Sequence, residues 1–185
     1  MSVSEDRAFA VNILGTLAQT IVDRQLIGME AVAGFAGHAP AALITLRFYP
    51  GRPISFLARK LRISHPGAVQ LVDRLAAAGL VERVLAVDGR SRLLVLTDEG
   101  QAIAGAVLAQ RRRVLEQALS VLDEQACRAM SATLSTMLEA LTDDLLTSEF
   151  MCRMCDELAC PDDRCPVERA EPAPTDRRGI GYGVH

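Results

Sequence analysis

The sequence predicts a mainly α-helical chain with one small β-hairpin. Three observations set that class: a tight pair of helices between Arg52 and Ala78, a charged hairpin directly after it, and long amphipathic helices on either side. The first helix of the pair covers 54–61, where Leu57, Ala58 and Leu61 recur at helical spacing behind Ser55, an N-cap candidate. Arg62, Ile63 and Ser64 break it. Ser64 can cap a second helix, with Pro66 in a first turn where a missing N–H costs nothing, and this helix runs to about residue 78. Ala68, Leu71, Val72 and Leu75 fall at i, i+3, i+4 and i+7, so one stripe faces a core while His65, Gly67, Val69, Gln70 and Arg74 point outward. Gly79 ends the helix in the left-handed conformation.

Two β-prone runs follow, 81–87 and 92–96, joined by Asp88-Gly89-Arg90-Ser91. Asp-Gly is a strong turn signal. A lone Asp-Gly-Arg would read as an ordinary surface hairpin with solvated arginines. Placed after a two-helix unit it reads as a wing, with Arg90 and Arg92 able to reach phosphates or a narrow minor groove. The fold class is therefore a winged helix-turn-helix, mainly α with a small β-hairpin wing, flanked by N- and C-terminal dimerisation helices. Its DNA-contacting candidates are Ser64, His65, Gly67, Val69, Gln70, Arg74, Arg90 and Arg92.

The stretch ISFLARKLRISHPGAVQLVDRLAAAGLVERVLAVDGRSRLLVLTDEG resembles the MarR family of winged-helix transcription regulators. The leucine-valine-aspartate-arginine-leucine run, the glycine-leucine-valine-glutamate-arginine run, the wing with its aspartate and two arginines, and the leucine-threonine-acidic-acidic-glycine ending carry the match as a set. The resemblance extends over about residues 5–149. It implies a cytoplasmic homodimer on a pseudo-palindromic operator, each recognition helix in a major groove. It also implies a small apolar or aromatic effector between the dimer helices and the reading unit, near Arg47, Phe48 and Tyr49. The recognition helix departs from the family, having His65, Pro66, Gly67 and Val69 where serine, threonine and arginine are common, so no operator sequence is implied.

The formal net charge of −3 looks wrong for a DNA binder until it is divided by segment. Residues 52–92 hold eight basic and three acidic side chains, a local +5, which leaves −8 on the rest of the chain. Positive charge sits where the fold puts phosphates. No apolar run approaches a membrane span and the first residues do not form a signal peptide, which places the expected location in the cytoplasm.

Elsewhere the chain reads as helix. Residues 5–33 carry an apolar face of Phe9, Ile13, Leu17, Ile21 and Leu26, and 41–49 form a short apolar helix ended by Pro50-Gly51. A long helix starts at Asp98, and its Arg111, Arg112 and Arg113 form either a solvated face, the preferred reading, or an extra phosphate contact. Another begins near Asp123 and keeps Leu122, Ala126, Met130, Leu134, Leu138, Leu141 and Leu145 on one stripe for about six turns. Such a stripe must be covered, and by family resemblance its cover is a second subunit.

Cys152-x2-Cys155-x4-Cys160-x4-Cys165 places four thiols in a short, turn-rich segment. In the expected compartment structural disulfides are disfavoured, and four thiolates suit a soft metal. The spacing is that of the retroviral zinc knuckle with Cys160 in place of histidine, and a four-cysteine zinc site is a standard structural arrangement. The glycines and aromatic residues of a knuckle are missing. Cys160-Pro161 and Cys165-Pro166 are similar to the cysteine-proline pairs of ferredoxins, so an iron–sulfur cluster is the alternative to zinc. Free thiols or reversible disulfides that sense oxidants also remain open. Cys127 reads as a small buried hydrophobe.

The resulting organisation is an N-terminal dimerisation helix (1–34), the winged helix-turn-helix (35–100), C-terminal dimerisation helices (101–150), the four-cysteine segment (151–166) and a disordered tail (167–185). No histidine has a nearby nucleophile and orienting carboxylate, so an enzyme is not expected. The expected function is a sequence-specific regulator of transcription, a homodimeric repressor released by a small molecule or a redox signal. The competing classes are an iron–sulfur electron-transfer protein and a metal-stabilised protein-interaction adaptor.

Overall fold

The computed structural model describes residues 3–87, 89, 91–143, 145–160 and 163–170. Helix α1 (Val3–Ala33) leads through two left-handed glycines, Gly34 and Gly37, into α2 (Ala39–Phe48). Helix α2 is the hub: its residues from Ala39 to Leu46 are all buried, which its unbroken apolar sequence requires. A two-residue strand β1 (Arg52–Pro53) runs directly into α3 (Ile54–Lys60), and α4 (His65–Ala77) follows. Strands β2 (Val81–Leu85) and β3 (Arg92–Leu96) precede the long helices α5 (Asp98–Leu119) and α6 (Glu124–Ala140). The chain then turns back through α7 (Leu145–Met151), a 3-10 turn at Cys152–Met154 and a last short helix, α8 (Pro166–Ala170).

The sheet has three antiparallel strands in the order β1-β3-β2. Leu94 of the central strand lies opposite both Arg52 and Arg83 and is fully buried, so the wing is anchored at its base by the same core that holds α2. Thr97 joins wing to outer helix: its hydroxyl donates to Gly79 C=O (2.7 Å) and accepts from Gly100 N–H (3.0 Å), capping α5. Gly100 is required there, because a Cβ would stand 2.0 Å from Leu80 O.

Four expectations are corrected. Ser55 does not cap α3; Pro53 holds the cap position, since β1 enters the helix without an intervening loop. Strand β2 stops at Leu85 rather than residue 87, because Ala86 N–H already turns to Ser91 C=O (2.9 Å) to close the hairpin. The six-turn stripe is interrupted: α6 ends at Ala140, and α7 reverses direction toward α3. Residues 166–170, expected to begin a disordered tail, form α8, which packs on α6 through Arg169 and Glu139. The remainder of the expected tail, 171–185, lies outside the described residues.

Among the described residues no helix is long and apolar enough to cross a membrane.

Candidate DNA interface and the thiol lobe behind it

Helix α4 is built to present one face. Ser64 accepts a hydrogen bond from Gly67 N–H (3.2 Å), and Gly79 closes the other end at φ 72°. Ala68, Leu71, Val72 and Leu75 are buried as the spacing requires, while Ser64, His65, Gln70 and Arg74 are exposed and Gly67 and Val69 half-buried. Gly67 belongs to the cap as much as to the surface, since an added Cβ would press on the Ser64 Oγ at 3.1 Å. On the wing, Arg92 is exposed opposite Leu85. Arg90 lies outside the described residues. Arg83 of β2 pairs with Asp73 of α4 at 2.6 Å, fixing the wing against the reading helix, a link that the sequence reading did not contain.

The basic residues of α3 have a different fate. Arg59 makes a two-pronged pair with Glu149 of α7, Nε to Oε2 at 2.7 Å and Nη2 to Oε1 at 3.1 Å. Arg62, at φ 51° in the turn between α3 and α4, lays its guanidinium 4.5 Å from the Phe150 ring centre and donates to Thr147 Oγ1 (3.2 Å). Arg153 covers the same ring at 3.7 Å. Lys60, the only lysine of the chain, is 4% exposed, with its ammonium 4.1 Å from the Tyr49 ring centre. The positive footprint drawn from the sequence is thus divided. Arg59, Lys60 and Arg62 face the chain's own C-terminal segment.

That segment, 145–170, is docked on the reading unit. Thr45 of α2 donates to Arg153 C=O (3.5 Å), and Met154 packs against the main core. Tyr49, expected near an effector, lies beside Glu157 and Cys152 of this lobe. Tyr49 packs on Phe56 at 5.5 Å and directs its hydroxyl toward Glu157; burial and that carboxylate push the phenol pKa up. Arg47 is held by Gln101, through its backbone C=O at 3.0 Å and side-chain Oε1 at 3.2 Å.

Of the four cysteines, the fold brings two face to face. Cys155 N–H donates to Cys152 C=O (3.0 Å), and the two thiols share a proton interaction. Donation from Cys152 lowers the Cys155 pKa to about 6, helped by the charges of Arg111 and Lys60 and opposed by burial. The same contact, burial and the charges of Cys155 and Cys165 push Cys152 up. Burial pushes Lys60 down, against the carboxylates of Glu157 and Glu149 and the two thiols. Cys165 is buried and lies within electrostatic reach of Cys152, while Cys160 is half-buried. Among the described residues no three His, Cys, Asp or Glu side chains converge as a metal-ligand group. Cys127 is half-buried on α6.

The inward turn of Lys60 had a signal in the sequence. It stands four residues after Phe56 and three after Leu57, on the face of α3 that the apolar residues mark as buried. Nothing local in the sequence paired Arg59 with Glu149, ninety positions away.

Residues 34–91 match the MarR family model. Among curated proteins none matches the chain. Among solved structures, the YusO protein of Bacillus subtilis is 24% identical with a TM-score of 0.68, the match covering 76% of this chain and 99% of that one. A MarR family protein of Bacillus stearothermophilus is 20% identical at a TM-score of 0.66, covering 77% and 100%. A variant of MepR from Staphylococcus aureus, solved bound to an oligodeoxyribonucleotide, is 18% identical at 0.57, covering 71% and 97%. The winged helix-turn-helix of this chain is thus similar to that of the MarR family over residues 34–91, and it is set in a fold shared with the solved structures named above.

Proposed function

We propose that the chain is a homodimeric transcription regulator that binds double-stranded DNA through α4 and the wing, and that it acts as a repressor released by a signal. The observation that carries this reading is the division of α4 into a buried apolar stripe and an exposed row of Ser64, His65, Gln70 and Arg74. A helix of roughly 10–12 Å diameter fits the major groove, and such a row is what would meet base edges and phosphates there. Arg92 on the wing is placed to add a backbone contact. The MepR variant with its bound oligodeoxyribonucleotide supports the same use of the fold.

Dimerisation is supported by what the single chain leaves uncovered. Residues 3–20 of α1 are all exposed, Phe9, Ile13 and Leu17 among them. Helix α6 has no buried residue, and its Leu134 and Leu138 are 42% and 38% exposed. Two amphipathic helices with bare apolar faces are covered by a second copy in a twofold arrangement.

The test is selection of duplexes from a random pool by the full chain. Enrichment of a pseudo-palindrome is expected, and no enrichment would end the DNA-binding reading. Leu134→Asp or Leu138→Asp puts an unpaired carboxylate into the proposed interface at a cost on the order of 3–5 kcal/mol. Sedimentation of both variants is expected to show monomers, and two intact dimers would remove α6 from the interface.

A further inference from the structure

DNA reading leaves the cysteine segment without a role, yet residues 145–170 are fastened to the reading unit at Thr45, Arg59, Lys60 and Arg62. We propose that Cys152, Cys155, Cys160 and Cys165 are the four ligands of one structural zinc ion, which closes this segment into a lobe and holds it against helix α3. Such a site stands whether or not α4 reads DNA.

The segment has little core of its own. It consists of a seven-residue helix, a three-residue 3-10 turn and a five-residue helix, joined by irregular chain. Among its described side chains only Ser148, Cys165 and Val167 are buried. A unit this short and this poor in apolar burial needs a staple, and a disulfide or a metal is the usual one. The anchors at Arg59, Arg62 and Thr45 fall on residues 147–153. The irregular stretch after them, 155–165, is bounded by cysteines at both ends.

The ligand spacing is that of a zinc site. Cys152-x2-Cys155 and Cys160-x4-Cys165 each fall in the range of about two to four intervening residues over which one turn offers two sulfurs to a tetrahedral ion. The four-cysteine spacings of bacterial and plant ferredoxins are different. The first half is formed: Cys155 N–H donates to Cys152 C=O (3.0 Å), a tight turn that sets the two thiols in contact. In the second half Cys165 is buried at the start of α8, its C=O accepts from Arg169 N–H (3.1 Å), and it lies within electrostatic reach of Cys152. None of the four is in a disulfide. Among the described residues no three side chains converge, so ligation draws Cys160 and Cys165 in toward the pair, a movement within residues 156–165.

The surrounding charge fits the same ion. Binding releases the four thiol protons to solvent, and zinc with four thiolates carries a net charge of about −2. Beside the pair stands Lys60, 4% exposed, its ammonium over the Tyr49 ring and with no carboxylate within salt-bridge distance among the described residues. Arg111 of α5 also lies within electrostatic reach of Cys155. A buried ammonium without an anion is costly, and a negatively charged centre beside it is that anion. Zinc thereby ties the lobe to α3 through Lys60 as well as closing the lobe on itself.

The experiment uses the full chain, reduced, stripped with a chelator, and titrated with zinc or with cobalt(II) as a spectroscopic stand-in. One equivalent is expected to bind, cobalt giving the thiolate charge-transfer and tetrahedral d–d bands of four sulfur ligands. Zinc is expected to slow amide exchange across the lobe and α3 while leaving β2 and β3 unchanged. Cys160→Ser and Cys165→Ser are each expected to weaken zinc binding by more than about 100-fold, since even an outer-shell change costs about 10–100-fold, whereas Cys127→Ser should bind as the parent does. Cys160 is half-buried, so its loss tests the ligand set even where Cys165→Ser upsets the packing of α8. No zinc held by the reduced chain, a bound ion indifferent to Cys160→Ser, or unchanged exchange in the lobe and α3 on adding zinc would overturn the proposal. So would the visible absorbance of an iron–sulfur cluster in chain isolated anaerobically. A chain that binds zinc as expected but selects no duplex would sink the DNA reading and leave the metal site standing.

Discussion

Helices α3 and α4 are consecutive and each carries an arginine, yet they do opposite things with their positive charge. Arg74 on α4 looks into solvent with no carboxylate beside it among the described contacts, whereas Arg59 and Lys60 on α3 are drawn against Glu149, Tyr49 and the thiol pair. What differs is the neighbour. A guanidinium with a partly buried carboxylate in two-pronged geometry gives up water for a strong, directed pair. One with no such neighbour stays hydrated and available to phosphate. Net positive charge in a segment therefore says less about nucleic acid than its distribution over helix faces.

This contrast can be broken at several points, the largest effect first. Arg74→Ala is expected to weaken duplex binding by about 1–3 kcal/mol if the guanidinium reads a base, or to lower the log–log salt slope by about one if it meets a phosphate. In either case the thermal midpoint should stay unchanged, and a binding titration at several salt concentrations decides. Arg59→Ala should show the reverse pattern. Loss of its pair with Glu149 is expected to cost about 1–2 kcal/mol in denaturant unfolding, below the full penalty for a buried pair because both side chains keep some solvent contact, while the salt slope of DNA binding stays put. A changed slope would mean that α3 also faces phosphate. Ser64→Ala removes the α4 cap and is expected to cost about 1 kcal/mol of stability, together with a smaller loss of affinity, measurable as parallel shifts in unfolding and binding. Arg62→Gly should change stability least. Relief of a left-handed arginine, about 1 kcal/mol, is offset by loss of its stacking on Phe150 and its bond to Thr147, leaving a net shift within roughly 0.5 kcal/mol.

The reading unit was legible because its signals are local. The Ser64 cap, the Ala68-Leu71-Val72-Leu75 stripe, Gly79 and strand β3 each follow from a few adjacent residues, and all four are where the spacing put them. Strand β1 was missed because two residues carry no period, and the end of α6 because leucines continue past the point where the backbone stops. The docking of the C-terminal lobe was invisible for a different reason. Arg59 with Glu149 and Thr45 with Arg153 join positions about a hundred apart, and no local pattern marks a residue's distant partner. The four-cysteine spacing suggested a self-contained motif, whereas Cys152 and Cys155 sit against Lys60 of the reader.

The position of that lobe has a genetic consequence. Thr45 of α2 and Lys60 of α3 are buried beside residues that come late in the chain. A stop codon shortly before Leu145 would keep the whole segment that matches the family and every residue of α4 and the wing, yet it would remove the late residues beside Thr45 and Lys60 and leave that lysine only the ring of Tyr49. Alleles truncated there should be recovered as poorly accumulating protein, degraded before it meets an operator, and scored in a screen as nulls.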